Sequence, residues 1–251
     1  MRIAVAGGTG AVGRHAARAA RERGHDVVVL SRADGVDVTT GRGLTAALRD
    51  VDAVVDVTNT TTFFARTSRR FFEAATHHLL AAEQANGVGH HVALSIVGID
   101  GMDASYYAGK VAQERAVRAG QVPYTIARAG QFHEYVGRLL SSQKGPVAVM
   151  PTAPMRPVAA REVGEHLVAV AEGGPVGRAT DFVGPRDEQL ADIARRQLAY
   201  EGVRRRVWEV TLPLTYTRGL ASGALRGGPD RIEARITFDD WLASEDHRPL
   251  A

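Results

Sequence analysis

Tyr106 and Lys110 stand four residues apart in a segment, Ala104 to Ala119, whose pattern predicts a helix, so both side chains share one face. A phenol, with an ordinary pKa of about 10, is a poor acid or base at neutral pH. An ammonium beside it stabilises the phenolate and draws the group toward the working range. The chain uses arginine almost everywhere and has just two lysines, Lys110 and Lys144. A compact ammonium bonds hydroxyls differently from a planar guanidinium, so a lysine at this spot reads as a requirement. The bland alternative is a surface lysine beside a half-buried tyrosine, and the tandem Tyr106-Tyr107 leaves open which phenol faces the chemistry.

The second constellation is Gly7-Gly8-Thr9-Gly10-Ala11-Val12-Gly13, set between the apolar run Ile3 to Ala6 and an Ala/Arg-rich helical segment. A strand that turns sharply into a helix aims the first N–H groups and the helix dipole at a phosphate. Gly7 allows a positive φ, Gly10 lets the backbone approach a pyrophosphate, and Gly13 lets the helix pack closely on the strand. Gly7, Thr9, Gly10, Ala11, Val12 and Gly13 therefore form an expected dinucleotide cradle, against the alternative of a plain structural turn. An NAD site places a carboxylate at the end of the second strand, whereas this chain has Ser31-Arg32, and a guanidinium suits a 2′-phosphate. NADP is expected over NAD. Arg14 is a further candidate for that phosphate or an exposed first-turn residue, and Asp34 would reach the ribose on a different loop path. Asp37-Val38 could frame the adenine and Thr58-Asn59-Thr60 the ribose side, although turn chemistry explains both segments equally well.

The elements that position these groups follow from periodicity. Helix Val12 to Arg23 ends near Gly24, strand Asp26 to Leu30 follows, Val36 to Val38 reads as a short third strand, and Leu44 to Arg49 as a helix. Ala53 to Val57 is a continuous apolar run interrupted by Asp56, as expected of a strand covered on both faces. Helix Ser68 to Asn86, strand Val92 to Ile96, helix Ala104 to Ala119 and strand Tyr124 to Arg128 complete the alternation. This predicts an α/β fold with a doubly wound parallel (Rossmann) sheet over residues 1–130. Beyond Gly130 the rhythm changes. A helix near Phe132 to Ser141, a Pro/Gly-marked stretch from Gly145 to Pro157, helix Ala160 to Glu172, strand Asp181 to Val183, helix Glu188 to Tyr200, strand Val207 to Val210 and helix Phe238 to Ser244 predict a smaller mixed lobe, residues 131–251, that closes a substrate pocket.

The 251 residues suffice for one large domain or a domain with a small lobe, and the formal net charge of +3 is spread along the chain. Arg69-Arg70, Arg195-Arg196 and Arg204-Arg205-Arg206 read as solvated faces, so nucleic acid is not an expected partner. The absence of cysteine removes thiol nucleophiles and thiolate metal sites and fits a reducing cytosol. No leader precedes the first strand and no long apolar run occurs, so a cytoplasmic protein without a membrane partner is expected, as monomer or homodimer. His77-His78 and His90-His91 point to alternate sides of their elements and complete no ligand spacing, so no metal is expected. His133, after the last predicted strand of the sheet, is a candidate substrate contact, as are Phe63, Met102, Tyr107 and Phe132.

The glycine turn, Tyr106-x-x-x-Lys110 and Ser95 at a strand end together resemble the short-chain dehydrogenase/reductase superfamily, with the nearest likeness to its atypical, NmrA-like NAD(P)H-binding members. Ser95 to Ile99, Tyr106 to Glu114, Pro123 to His133, Met155 to Val158 before Arg161-Glu162-Val163, and Phe238 to Leu242 carry the same likeness over nearly the whole chain. The resemblance implies that Lys110 holds the nicotinamide ribose, Tyr106 donates a proton, and Gly130-Gln131-Phe132 passes beside the nicotinamide. It implies for Ser95 polarisation of a substrate oxygen, yet the short run Gly98 to Ser105 leaves contact with the cofactor alone as an alternative. The expected activity is NADPH-dependent reduction of a small carbonyl, imine or conjugated alkene such as a quinone. A non-catalytic NADP(H)-sensing regulator and an isomerase or epimerase with bound NAD(P) are the alternatives, and retention of both Tyr106 and Lys110 favours an enzyme.

Overall fold

The computed structural model describes residues 1–211 and 215–250. In chain order the elements of the N-terminal half are β1 (Arg2–Ala6), α1 (Gly13–Glu22), β2 (Asp26–Leu30), α2 (Leu44–Ala47), β3 (Ala53–Asp56), α3 (Ala65–Asn86), β4 (His90–Ile96), α4 (Ser105–Ala119) and β5 (Tyr124–Ala129). There follow α5 (His133–Ser141), β6 (Val147–Pro151), β7 (Pro154–Met155), α6 (Ala160–Glu172), β8 (Gly177–Arg178), β9 (Asp181–Val183), β10 (Glu188–Gln189), α7 (Leu190–Tyr200), β11 (Arg206–Val210), α8 (Thr215–Ala221), β12 (Arg231–Glu233) and α9 (Phe238–Leu242). They divide into two compact units, one of Met1–Ser95, Asp100–Arg128 and Val163–Ala179, the other of Ile96–Ile99, Ala129–Glu162 and Thr180–Ala251. Among the described residues no helix is long and apolar enough to cross a membrane.

In the first unit β1 runs parallel to β2 and to β3, and β3 to β4, with β5 beyond β4 and the short β8 parallel to β5. The sheet order 2-1-3-4-5 is that of a doubly wound, Rossmann-like α/β fold. Its strands are apolar on both sides because helices cover both faces: Ile3, Ala4, Val5, Ala53, Val54 and Val55 are fully buried. On one flank Leu44 and Leu48 after β2 and Leu79 and Ala82 of α3 pack with Ala4, Ala6 and Val54, while Val117 of α4 packs with Ala93 and Ile126. The second unit pairs β9 with Ala129 and with β12, β7 with β10 in antiparallel sense, and β6 with β11 in parallel.

The expected third strand is absent, which is why the order beside β1 ends at β2. Val36 to Val38 lies between Gly35, at φ +79°, and a turn in which Asp37 and Arg42 form one isolated antiparallel bridge. The Asp37 carboxylate takes the N–H and hydroxyl of Thr39, so local side-chain bonding wins over a ladder. Within the Gly145 to Pro157 stretch the chain makes β6 and β7, and α8 and β12 are further elements that periodicity did not signal. Helix ends are better marked: Gly24 and Gly87 follow α1 and α3 with φ of +80° and +68°.

Helices α3 and α4 meet at Gly109, where a Cβ would fall on Ser68 Oγ and within 2.5 Å of Phe72 Cδ2. Gly109→Ala is therefore expected to lower stability by about 2 kcal/mol through overpacking. Thermal unfolding should show a drop in Tm of roughly 4–8 °C for a chain of this size; an unchanged Tm would refute the close approach.

Candidate functional site

The glycine turn is held by a chain of backbone constraints. Gly7 sits at φ +77°, and its carbonyl accepts the N–H of Gly10 at 2.9 Å. A Cβ on Gly7 would come within 2.9 Å of the Val57 carbonyl oxygen, and one on Gly13 within 2.6 Å of Gly8 Cα. The turn is thus packed against the end of β3 on one side and folded on itself on the other. Thr9 and Gly10 are exposed, Ala11 is half-buried, and Val12 and Gly13 are buried. No side chain caps α1, and among the described residues the N–H groups of Ala11, Val12 and Gly13 meet no protein acceptor. Such donors at the positive end of a helix dipole fit the pyrophosphate of a dinucleotide.

At the end of β2 the Ser31 hydroxyl donates to Asp34 at 2.5 Å, and Arg32 is exposed beside them. The carboxylate and the guanidinium that separate NAD from NADP readings therefore lie together in one short turn. Asp37 is held below the usual carboxylate range by the hydrogen bonds from Thr39. Val38 packs on the first unit's core and gives its carbonyl to His78, and Arg14 lies against the His15 ring.

Tyr106 begins the site's chemistry. It is half-buried, and its hydroxyl donates to Asn59 Oδ1 at 2.8 Å, so the phenol is tied to the segment that follows β3. Asn59 also takes the N–H of Thr60, and Thr58 N–H goes to Asp56 Oδ1 at 2.9 Å. The residue before Tyr106, Ser105, adopts φ +51°, an uncommon conformation for a side chain other than glycine, and its hydroxyl donates to the Phe63 carbonyl at 3.0 Å. Lys110 is no surface residue: it is 3% exposed. Its ammonium donates to the Leu94 carbonyl and to Gln113 Oε1 and lies 4.7 Å from the centre of the Phe72 ring. Gln113 Nε2 donates onward to Asp56 Oδ2 at 2.8 Å. Burial pushes the Lys110 pKa down to about 8, with the charges of Asp56 and Glu114 opposing the fall.

Ser95 belongs to a different network. Its hydroxyl donates to Glu114 Oε1 at 2.6 Å, and the same carboxylate takes Arg128 Nε at 2.7 Å. Arg128, 3% exposed, also grips Asp100, and Arg118 closes on Glu114 from the solvent side at 2.7 Å. Burial tends to raise the Glu114 pKa, but bonds from Arg128 and Ser95 outweigh it and hold the group below its ordinary value.

In the second unit, a Cβ on Gly130 would strike the Arg156 carbonyl, and Phe132 caps α5 and bridges Val158. His133 does not present itself to solvent. It is 1% exposed, packs on Phe238 and Trp241 with ring centroids 5.4 and 5.7 Å away, and meets the Ile236 carbonyl at 3.2 Å. Desolvation pulls its pKa down to about 4, so it stands as a neutral residue in the core of this unit. Met102 and Tyr107 are likewise buried, whereas Phe63 is 72% exposed. His91 is locked on Glu83 at 2.8 Å and His90 on Thr125 at 2.8 Å, roles in the interior.

The sequence pattern assigned no role to Asp56, Gln113, Glu114 or Arg128. A signal existed for each: a carboxylate interrupting an apolar strand, two polar residues at i+3 and i+4 from the lysine, and a guanidinium inside a buried strand.

Residues 7–172 match the model of a family described as NAD(P)H-binding. No curated protein sequence matches the chain. Solved structures of similar fold include triphenylmethane reductase of Citrobacter sp. complexed with NADP(H), at 15% identity over 97% of this chain and 99% of that one, with a TM-score of 0.73. A NADPH-dependent quinone oxidoreductase of Escherichia coli is 16% identical over 96% and 98%, TM-score 0.72. The Bordetella bronchiseptica enzyme WbmH, in complex with NAD+, is 15% identical over 84% and 86%, TM-score 0.68. At such identities the likeness is one of fold.

Because Glu114 is depressed in the folded state, its contribution to stability is complete above the ordinary glutamate value of 4.5 and is lost as pH falls through the lower folded value. Ser95→Ala removes one of the bonds that depress it, at a cost of about 1–3 kcal/mol. Thermal melts from pH 7 to pH 3 should show that the variant's deficit shrinks as Glu114 protonates. A deficit independent of pH would exclude the Ser95–Glu114 bond as its source.

Proposed function

The chain belongs to the NAD(P)H-binding family, and on that premise we propose that it is an NADPH-dependent reductase acting on a small carbonyl, imine or conjugated alkene, quinones included. The observation that carries this reading is the hydrogen bond from Tyr106 to Asn59, which ties a half-buried phenol to the loop on which the glycine turn packs. The N–H groups of Ala11, Val12 and Gly13 would hold the pyrophosphate, Arg32 the 2′-phosphate, and Thr58 and Asn59 the ribose side. Bound NADPH supplies a hydride to the substrate carbon. The residues of this chain do the rest: the Tyr106 hydroxyl exchanges its bond to Asn59 Oδ1 for one to the substrate and gives up its proton to the substrate heteroatom or carbon, and the Lys110 ammonium on the same helix lowers the energy of the phenolate left behind. Ser95, whose hydroxyl is committed to Glu114, acts in this reading by steadying α4 against β4.

A second reading, a non-catalytic NADP(H)-sensing regulator, has one observation in its favour: Lys110 is bonded inward to Leu94 and Gln113. Stopped-flow NADPH oxidation against quinones, enones, imines and aldehydes separates the two. A reductase should turn over at least one class, and Tyr106→Phe should lower kcat by roughly 10²–10⁴. Tight NADPH binding with no turnover across the panel would give the regulator the better claim.

Cofactor choice is tested on Arg32. Losing charge-assisted bonds to a 2′-phosphate costs about 1.5–3 kcal/mol, so Arg32→Ala should raise the Kd for NADPH at least tenfold and leave that for NADH within twofold. Equal losses for the two cofactors would refute the 2′-phosphate role of Arg32.

A further inference from the structure

Beneath the loop that follows β3 lies a line of three buried polar side chains. Asp56 is fully buried, Gln113 is 1% exposed, and Lys110 is 3% exposed. Asp56 Oδ2 takes Gln113 Nε2, and Gln113 Oε1 takes the lysine Nζ. The remaining oxygen of Asp56 takes the Thr58 N–H, and Thr58 Cα lies within 3.2 Å of where a Gly7 Cβ would be. One carboxylate thus has two ties, to the loop on which the glycine turn rests and, through an amide, to the ammonium.

We infer that Asp56 and Gln113 are positioning residues for Lys110: they hold its ammonium inward at the Leu94 carbonyl, under the Phe72 ring, and govern its proton affinity from the end of β3. The inference rests on the assignment of Lys110 to the reductase site and says how that residue is kept in place. An amide is suited to the task, because it offers the lysine an acceptor and the aspartate a donor at once. A carboxylate acting through one intervening amide favours the charged lysine without forming a direct pair, and burial acts the other way. The charged groups around Lys110 are Asp56 on β3 and Glu114 on α4. Beyond them stand Glu83 on α3 with His91 on β4, the latter sensing Asp56, and Arg128 on β5, neutralised by Glu114 and Asp100. From α3 itself the lysine meets the Phe72 ring face.

With only Lys110 and Lys144 in the chain, [13Cε]lysine labelling yields two signals, which Lys144→Arg assigns. In the cofactor-free full-length protein the Lys110 methylene should show a ring-current shift from Phe72 and titrate near 8. Asp56→Asn, nearly isosteric, should lower that midpoint by about one pH unit. Gln113→Met should abolish the ring-current shift, while Gln113→Glu, which keeps an acceptor oxygen in place, should preserve the shift and hold the midpoint at or above the wild-type value. A Lys110 midpoint within 0.3 unit of wild type in folded Asp56→Asn, or a ring-current shift that survives Gln113→Met, would overturn the inference. Failure of the parent reading looks different: Lys110→Met would then bind NADPH and turn over as the wild type does, whatever the titrations show.

Discussion

A polar side chain with no exposure needs a hydrogen-bond partner for each of its polar atoms, and Asp56 satisfies that demand in a way that shapes the site. Its two oxygens take the Thr58 N–H and the Gln113 amide, which ties the chain after β3 and the helix α4 to one carboxyl group. The Val57 carbonyl and Thr58 Cα of that segment face Gly7, where only a residue without a Cβ fits. The same helix α4 brings Gly109 against Phe72 and Ser68 and the Tyr106 hydroxyl to Asn59. Polar burial and glycine packing are therefore two sides of one constraint.

The Glu114–Arg128 pair carries a second demand of the same kind. Both side chains are 3% exposed, and a pair so deeply placed is stabilising only while every lone pair and proton is engaged. Ser95, Asp100 and Arg118 complete that engagement. This explains why a serine at a strand end, a position suggestive of substrate contact, is directed at a carboxylate on the next helix. A hydroxyl that donates to an ionised glutamate at 2.6 Å has its one proton spent.

Much of this was legible from residue order. Apolar runs marked β1, β2, β3 and β5 to within a residue or two, and helix α6 and strand β9 coincide with their expected bounds. The i, i+4 relation of Tyr106 and Lys110 holds, but spacing specifies a face and not the direction in which a long side chain runs. A lysine has four carbons with which to reach either solvent or Leu94, and Gln113 and Asp56, distant in sequence from each other, decide between them. Val36 to Val38 failed as a strand for want of length: three residues between left-handed glycines bury too little to outweigh the Asp37 turn. The surroundings of His133 were not legible, because Phe238 and Trp241, which pack on its ring, lie a hundred residues on.

The distribution of cations sharpens the chemical argument. A guanidinium stays charged at any physiological pH, so the arginines that pair with Glu114, Asp100, Asp187 and Glu233 are fixed charges whose work is structural. An ammonium differs, since burial brings its proton within reach of neutral pH, and Lys110 at about 8 is such a case, whereas Lys144 is exposed. A lysine placed there for charge alone would be an inferior arginine, because the pocket around Phe72, Leu94 and Gln113 weakens its hold on the proton. What an ammonium in that pocket offers, and a guanidinium does not, is a small cation with three donors whose protonation answers to a carboxylate at the end of β3. The lysine is best understood as a titratable group under control, and Arg128, paired with Glu114 and Asp100 in the same unit, as a fixed charge already matched.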